Sequence, residues 1–218
     1  MTELFLLPTA EARRLDAAFC REHFPARTAR AARFRYPEDR LRCLGAGALL
    51  AGVLGVREAE LREGAWGKPE APPSCARRFN LSHSGAYIVL AVSDAEVGVD
   101  VERVQERRLR VAGRVLLPEE REWMEHNPTE RFFRLWTLKE SVMKAVGKGL
   151  ALPPSGFSVL PLTRGEPIRT EAGALFGRST PLDGYWLSVC AAEPLGEPPL
   201  HRVTAHELMN KRESEARQ

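Results

Sequence analysis

The feature that most constrains this chain is an apolar stretch that carries charges, ERFFRLWTLKESVMKAVGKGL, at residues 130–150. Written as a helix, its large apolar side chains leave no side free for water, and a helix that is apolar all round is a buried one. Lys139, Glu140 and Lys144 lie within it. A buried charge costs several kcal/mol unless a partner compensates it. The sequence therefore predicts a buried helix whose charges meet partners from elsewhere.

Two of these charges share one face of the predicted helix. Glu140 and Lys144 are four residues apart, which places them on the same face as Trp136. A Glu–Lys pair at this spacing is often only a helix-stabilising ion pair, and that interpretation stays open from this stretch alone. The glycines at 147 and 149 predict the end of the helix and allow backbone to approach a neighbour closely.

A second polar pattern in an apolar setting lies at residues 97–102, VGVDVE. The alternation of valines with other residues predicts a half-buried strand, with Asp100 and Glu102 on one face roughly 7 Å apart. Two neighbouring carboxylates repel unless a cation lies between them, and oxygen ligands of this kind suit Mg²⁺. A solvent-facing edge strand is the alternative for this motif alone. Together with Glu140, three carboxylates are available for one ion.

Four motifs make the chain resemble the Sfp-type 4′-phosphopantetheinyl transferases. Residues 98–102 resemble the family's G-[IV]-D-[IV]-E motif, and residues 136–149 its W-x-x-K-E-x-x-x-K-x-x-G-x-G motif. Residues 79–85, FNLSHSG, are similar to F-N-x-S-H-S-G, and residues 66–69, WGKP, to the G-K-P element. The motifs occur in family order, and the resemblance covers most of the chain from about residue 27.

The resemblance implies an α/β (α+β) fold of two similar halves related by a pseudo-twofold axis. We expect residues 1–102 to form the N-terminal α/β half, with the coenzyme A phosphate contacts and the metal-binding strand. Residues 103–218 are expected to form the C-terminal α/β half, with the charged helix and the carrier-protein contacts. A faint internal repeat between residues 85–92 and 184–191 agrees with this division.

Hydrophobic periodicity and turn signals also predict individual elements. Strands are expected at residues 3–7, 86–92, 157–162, near 168 and at 185–191. Helices are expected at residues 9–20, 41–54, 103–115 and 118–126.

Six arginines lie between residues 27 and 42. Guanidinium groups bind phosphate oxygens in bidentate fashion, although a charge run is also typical of a solvated face. The resemblance implies that Arg27, Arg30 and Arg42 contact coenzyme A phosphates. Lys68, in a glycine- and proline-rich loop, is a mobile cation that can reach a phosphate.

Ser82 and His83 precede the strand predicted at residues 86–92. A histidine beside a strand is as often a hydrogen-bonded structural residue as a functional one. The resemblance implies instead that Ser82 and His83 touch the nucleotide end of coenzyme A.

The resemblance implies transfer of the phosphopantetheine arm of coenzyme A to a serine hydroxyl of an acyl or peptidyl carrier protein, with release of adenosine 3′,5′-bisphosphate. Asp100, Glu102 and Glu140 are expected to hold Mg²⁺. Glu140 is the expected base, acting directly or through a metal-bound water, and Lys144 is expected to stabilise charge on the transferred or leaving phosphate. Lys139 is expected either at the pyrophosphate or in a local ion pair. The coenzyme A contacts expected in all are Arg27, Arg30, Arg42, Lys68, Ser82, His83, Asp100, Lys139 and Lys144.

Two functions from other classes remain open at this point. One is a non-catalytic module that binds coenzyme A or a carrier protein. The other is a Mg²⁺-dependent nucleotide phosphohydrolase, which would release phosphate without a carrier protein.

The composition sets further expectations. A net charge of +3 is too small to indicate a nucleic-acid partner. The four cysteines are scattered, which predicts neither a disulfide framework nor a zinc site. No targeting or membrane segment is apparent in the sequence, so we expect a cytoplasmic protein without a membrane partner. The family usually acts as a monomer, and the basic stretch at residues 107–124 is the expected carrier-docking segment.

Overall fold

The structure is a computed structural model that describes the backbone of residues 1–215 and the side chains of residues 1–149 and 151–210. Its strands are β1 (Glu3–Pro8), β2 (Arg62–Glu63), β3 (Pro69–Glu70), β4 (Arg78–Ser84), β5 (Tyr87–Ser93), β6 (Val97–Arg103), β7 (Ile168–Thr170), β8 (Gly173–Leu182), β9 (Tyr185–Ala191) and β10 (Leu200–Arg202). Its helices are α1 (Thr9–Ala12), α2 (Ala17–His23), α3 (Pro25–Ala32), α4 (Pro37–Leu54), α5 (Ala112–Val115), α6 (Pro118–Met124), α7 (Pro128–Val146), α8 (Leu160–Thr163) and α9 (Ala205–Glu215). Short 3₁₀ turns cover Glu58–Glu60, Glu106–Val111, Gly149–Ala151 and Pro154–Gly156.

Two four-stranded sheets form the centre of the molecule. The first has the order β10-β1-β5-β4, and the second has the order β6-β9-β8-β7. Neighbouring strands are antiparallel except for β10, which runs parallel to β1. A small β2–β3 ladder lies apart from both sheets. The mixed α+β class expected from the sequence is confirmed.

The described chain stacks in four layers, which are α4, the first sheet, the second sheet and α7, and an apolar core lies between each neighbouring pair. Leu4 and Val89 of the first sheet and Val99 and Leu187 of the second belong to the core between the sheets. The side chains of α4 pack with the opposite face of the first sheet in a second core. The side chains of α7 pack with strands of the second sheet in a third core. Each sheet is therefore covered by a long helix on its outer face, and the strands β1, β5, β6 and β9 are mostly buried.

The strand β6 belongs to the second sheet, where it pairs with β9 from Val97↔Ala191 to Arg103↔Tyr185. At the other end of the chain, β10 returns to the first sheet, and α9 packs on α4. The sheets thus group strands from both sides of residue 102. The division of the chain into residues 1–102 and 103–218 stays a prediction.

The helix predicted at residues 130–150 is α7, which begins at Pro128 and ends at Val146. Gly147 follows it with a φ of 82°, a left-handed conformation that favours glycine. Lys139 is fully buried, whereas Glu140 and Lys144 are half-buried. Within residues 1–215, no helix is long and apolar enough to cross a membrane.

Three other predicted elements differ from the structure. The helix expected at residues 9–20 is divided, because Asp16 accepts hydrogen bonds from Ala18 N and Phe19 N and starts the separate helix α2. The helix expected at residues 103–115 begins as the end of β6 and continues as a 3₁₀ turn before α5. No strand covers residues 157–162 of the described chain, where α8 starts instead.

Gly98 marks the place where α7 crosses β6. A Cβ atom at this position would lie 2.0 Å from the carbonyl oxygen of Ser141 and 2.3 Å from the backbone nitrogen of Ala145. These neighbours are backbone atoms of a helix, so no side-chain rotation can relieve the contact. The glycine therefore sets the distance between the strand that carries Asp100 and the helix that carries Glu140.

We expect Gly98→Ala to force α7 away from β6 and to lower the free energy of unfolding by about 1–3 kcal/mol or more. Urea denaturation followed by circular dichroism measures this change. Gly113→Ala is the matched control, because no atom beyond its own chain neighbours and helix backbone lies within 4 Å of its added Cβ. Equal stability of the two variants would contradict the close crossing.

Candidate active site

Side chains, rather than a backbone ladder, join the edges of the two sheets. Asn80, Ser82 and Ser84 alternate along β4 and face the backbone of β6. Their oxygens accept hydrogen bonds from the N–H groups of Val99, Val101 and Arg103, at 3.0, 3.2 and 3.1 Å. These bonds satisfy donors that β6 presents on its edge, and they fix the register between β4 and β6.

The same two serines orient the two carboxylates of β6. Ser82 Oγ donates to Asp100 Oδ1 at 2.8 Å, and Ser84 Oγ donates to Glu102 Oε2 at 2.8 Å. Each hydroxyl thus accepts a backbone N–H and donates its proton to a carboxylate. The repeat follows from the two-residue period of both strands. The carboxylates are held in defined positions before any ligand arrives.

Lys144 from α7 completes the surroundings of Asp100. Its Nζ lies 2.7 Å from Asp100 Oδ1 and 3.1 Å from both Ser82 Oγ and the carbonyl oxygen of Val99. Burial raises the pKa of Asp100, and the charge of Lys144 opposes that increase. The second oxygen, Asp100 Oδ2, is buried and has no hydrogen-bond partner among the described residues.

Glu140 lies one helical turn before Lys144 and is half-buried. Its pKa is raised to about 7, first by burial and then by the negative charges of Asp100 and Glu102, while Lys144 lowers it. The mutual influence of the three carboxylates indicates that they share one electrostatic environment. A carboxyl group with this pKa changes its charge near neutral pH.

Glu102 has a positively charged partner of its own. Arg108, in the 3₁₀ turn Glu106–Val111, donates through Nη1 to Glu102 Oε1 at 2.6 Å. Both oxygens of Glu102 are therefore engaged, one by Arg108 and the other by Ser84.

Within the described part of the chain, no three His, Cys, Asp or Glu side chains are arranged as a ready ligand set for a metal. Lys144 and Arg108 instead neutralise two of the three carboxylates. The donor chemistry nevertheless fits a hard divalent cation, because Asp100 Oδ2 is an unpartnered buried acceptor and Glu140 is destabilised by negative neighbours. The three-carboxylate ligand set stays a prediction.

A cleft of about 410 Å³ opens above this cluster. It brings together six of the residues expected to contact coenzyme A, namely Arg27, Arg30, Ser82, His83, Asp100 and Lys144. Glu58 holds Arg27 in place by accepting from its backbone N–H at 2.7 Å and from Nε at 3.1 Å. The pKa of His83 is lowered, mainly by desolvation and also by the positive charges of Arg42 and Lys144, against a backbone hydrogen bond that raises it.

The structure places two other expected contacts outside this cleft. Arg42 donates to the carbonyl oxygen of Gly85 at 3.0 Å and lines a neighbouring groove of about 900 Å³. Lys68 pairs with Glu96 at 3.0 Å and donates to the carbonyl oxygens of Val97 and Ala145. Lys68 therefore fastens its loop to β6 and α7.

Lys139 lies on the far side of α7, in a fully buried ion pair with Glu120 at 2.8 Å. Its Nζ also donates to the carbonyl oxygens of Pro154 and Phe157, at 2.7 and 2.5 Å. Burial lowers the pKa of Lys139, and the charge of Glu120 opposes that effect. The structure thus has the local ion pair, which was one of the two alternatives for Lys139, and its ammonium group is not open to the cleft.

Three residues that hold the site or its helix in place were not predicted from the sequence. The alternation of Asn80, Ser82 and Ser84 is a signal that identifies Ser84 once β4 is recognised as an edge strand. Glu120 and Arg108 have no such signal, because each meets its partner only through tertiary contacts.

Comparison with known proteins gives a consistent result. The sequence model of ACPS, the 4′-phosphopantetheinyl transferase superfamily, matches residues 96–190, which include β6 and α7. A 4′-phosphopantetheinyl transferase of Bacillus subtilis is 35% identical over 176 residues, which cover 74% of this chain and 79% of the relative. The chain belongs to the 4′-phosphopantetheinyl transferase superfamily.

Other relatives extend the match. The 4′-phosphopantetheinyl transferase Sfp of Bacillus subtilis (strain 168) is 29% identical over 85% of this chain and 89% of its own length. A crystal structure of Thermotoga maritima holo-[acyl-carrier-protein] synthase aligns with 46% of this chain and 64% of its own, at 21% identity. The TM-score of that alignment is 0.32, which is too low to establish a shared fold. The enzyme type follows from the curated relatives.

We expect the raised pKa of Glu140 in this transferase to make stability depend on pH. The folded protein keeps the proton up to a pH of about 7, whereas the unfolded chain loses it near the ordinary value of 4.5. The contribution of Glu140 to the free energy of unfolding is therefore fully present below pH 4.5 and is lost as the pH rises through about 7. Relative to wild type, Glu140→Gln should gain on the order of 1 kcal/mol between pH 5 and pH 8.

Urea denaturation without added metal at both pH values measures this gain. Glu122→Gln, at an exposed position on α6, is the control and should show no change with pH relative to wild type. A constant difference between wild type and Glu140→Gln at all pH values would contradict the raised pKa.

We expect Lys139→Met to leave the charge of Glu120 buried without its partner and to cost roughly 3–5 kcal/mol of stability. Adding Glu120→Gln should recover part of this loss, because the uncompensated charge is removed. Thermal unfolding of the single and double variants measures both effects. Wild-type stability of Lys139→Met, with loss of coenzyme A binding, would instead indicate a substrate contact.

Proposed function

We propose that this transferase moves the 4′-phosphopantetheine arm of coenzyme A to a serine hydroxyl of an acyl or peptidyl carrier protein in a Mg²⁺-dependent reaction, and releases adenosine 3′,5′-bisphosphate. The observation that carries this proposal is the pairing of two unusual carboxyl groups. Asp100 has a buried, unpartnered oxygen, and Glu140 beside it has a pKa of about 7. Both belong to the cluster beneath an arginine-lined cleft.

The cationic side chains of the cleft suit a substrate rich in phosphate. Arg27 and Arg30 are available to bind phosphate oxygens of coenzyme A, and Glu58 pre-orients Arg27 for this contact. Lys144, at the other end of the same lining, is in position to meet the pyrophosphate. His83 offers a further hydrogen bond at the cleft.

Asp100, Glu102 and Glu140 would hold the Mg²⁺ ion. When bound, Mg²⁺ supplies positive charge that neutralises the pyrophosphate oxygens of coenzyme A. Ser82 and Ser84 keep Asp100 and Glu102 turned toward the same side of β6 by donating to one oxygen of each.

The residues of α7 perform the proton transfer and stabilise charge. The carrier serine attacks the β-phosphorus, a new Oγ–P bond forms, and the P–O bond to the adenylate side breaks. Glu140, a half-buried carboxyl group one helical turn before Lys144, accepts the hydroxyl proton directly or through a water molecule. Lys144 stabilises the negative charge on the departing phosphate.

The carrier protein requires a docking surface near this site. Arg107, Arg108 and Arg110 line a groove of about 360 Å³ together with Phe132 and Trp136 of α7. Its positive charge supports the stretch at residues 107–124 as the docking segment for an acidic protein surface. We propose action as a monomer in the cytoplasm, with no nucleic-acid or membrane partner.

Replacement of the two unusual carboxyl groups tests the reaction. We expect Asp100→Asn and Glu140→Gln each to reduce transfer by at least about 100-fold, because each removes a charge that the transition state needs. The measurement is the intact mass of apo carrier proteins after incubation with coenzyme A and Mg²⁺. Glu197→Gln, at an exposed position between β9 and β10, is the control with an equal change in charge, and it should transfer normally.

Three results would contradict the proposed reaction. Unchanged transfer by either variant would remove the roles of Asp100 or Glu140, and transfer in the presence of a chelator would remove the Mg²⁺ requirement. Coenzyme A binding without modification of any carrier would indicate a binding module. Phosphate release without a carrier would indicate a phosphohydrolase.

A further inference from the structure

The ion pair between Arg108 and Glu102 stands at the edge of the carboxylate cluster. Arg108 Nη1 lies 2.6 Å from Glu102 Oε1, while Glu102 Oε2 accepts from Ser84 Oγ at 2.8 Å. The side chain of Glu102 is 17% exposed and that of Arg108 is 44% exposed. One partner is thus anchored in the site, and the other reaches it from the solvent side.

The three carboxylates proposed for Mg²⁺ differ in what neutralises them. Asp100 keeps one oxygen, Oδ2, without a partner, so a cation can bind there while Lys144 stays on Oδ1. Both oxygens of Glu102 already accept a hydrogen bond, one from Arg108 and the other from Ser84. A serine hydroxyl is neutral and can stay, but a divalent cation repels the guanidinium of Arg108 and the ammonium of Lys144 at such short range. Arg108 is the more exposed of these two cations, at 44% against 26%, and is therefore the one that solvent replaces more readily.

The position of Arg108 also allows its guanidinium group to dissociate from Glu102. It belongs to the short 3₁₀ turn Glu106–Val111 rather than to a strand or a long helix. Its side chain borders the open groove that Arg107, Arg110 and Trp136 also line. An ion pair with one partly exposed partner contributes little net free energy, so solvent readily replaces it.

We propose that Arg108 is a built-in counter-cation for Glu102, which competes with the divalent cation and must be released when that cation binds. The proposal rests on the proposed function, since it concerns the same metal site. It makes Arg108 a positioning residue that acts through Glu102. Because linkage is reciprocal, release of Arg108 strengthens cation binding as much as cation binding favours release.

Direct binding of Mn²⁺ to the full chain, without coenzyme A, tests this competition. Mn²⁺ is the probe because electron paramagnetic resonance counts the free ion. We expect Arg108→Gln to bind Mn²⁺ about two- to fivefold more tightly than wild type, as befits the loss of one partly exposed competitor. Arg107→Gln is the matched control, since Arg107 Nε donates to Gln105 Oε1 at 2.9 Å.

Equal or weaker binding by Arg108→Gln would overturn the proposal. So would equal tightening in Arg107→Gln, which would reveal a general effect of charge. In a Glu102→Gln background, removal of Arg108 should no longer change the affinity, and a persisting difference would exclude Glu102 as the point of competition. No Mn²⁺ binding by any variant would overturn the proposed magnesium role as well, whereas equal affinities with normal transfer would overturn only the competition.

A second measurement uses the wild-type chain and does not depend on how a variant folds. In ¹⁵N-labelled protein, we expect Mg²⁺ titration to move the Arg108 Nε–Hε resonance with the same midpoint as metal binding. An Arg108 resonance that stays constant through saturation would overturn the proposed release.

Discussion

The buried carboxylate of Asp100 is the interaction on which the site depends. It lies where β6 of one sheet, β4 of the other and α7 meet, and it is compensated by Ser82 and Lys144. A charge so deeply buried is tolerated only with such partners, so its presence requires both the serine strand and the lysine helix to be in place. The fold and the reactive centre are consequently not separable parts of this protein. Assembly of the two sheets also assembles the carboxylate cluster.

The serine hydroxyl groups of β4 both pair with the backbone of β6 and orient its carboxylates. The oxygens of Ser82 and Ser84 receive backbone N–H groups from β6, and their protons hold the carboxylates. Sheet edges are ordinarily protected by charge or by covering segments. Here the two edges protect each other through side chains, which leaves room between them for the cleft. A change at either serine is therefore expected to alter both edge pairing and carboxylate orientation.

Period and spacing were sufficient to predict the central elements. The alternation at residues 97–102 predicted β6 as a strand, although residues 97–101 are buried and not half-buried. The all-round apolar pattern predicted α7 as a buried helix whose charges meet partners. Contacts between distant segments were not predictable, since no periodic signal links Glu120 to Lys139 or Arg108 to Glu102. The prediction of a strand at residues 157–162 was wrong for a different reason. An apolar run of that length does not distinguish a strand from a short helix, and α8 begins within it.

The position of β10 has a consequence for the biosynthesis of the chain. In the first sheet, β1 is the earliest strand in the chain, and it pairs with the latest, β10 (Leu200–Arg202). The next element in the chain, α9, packs on α4. A ribosome must therefore deliver the chain through Leu200–Arg202 before this sheet can close. Until then the outer edge of β1 is unpaired and open to other chains. The final topology therefore requires that the edge of β1 be protected from pairing with other chains during synthesis.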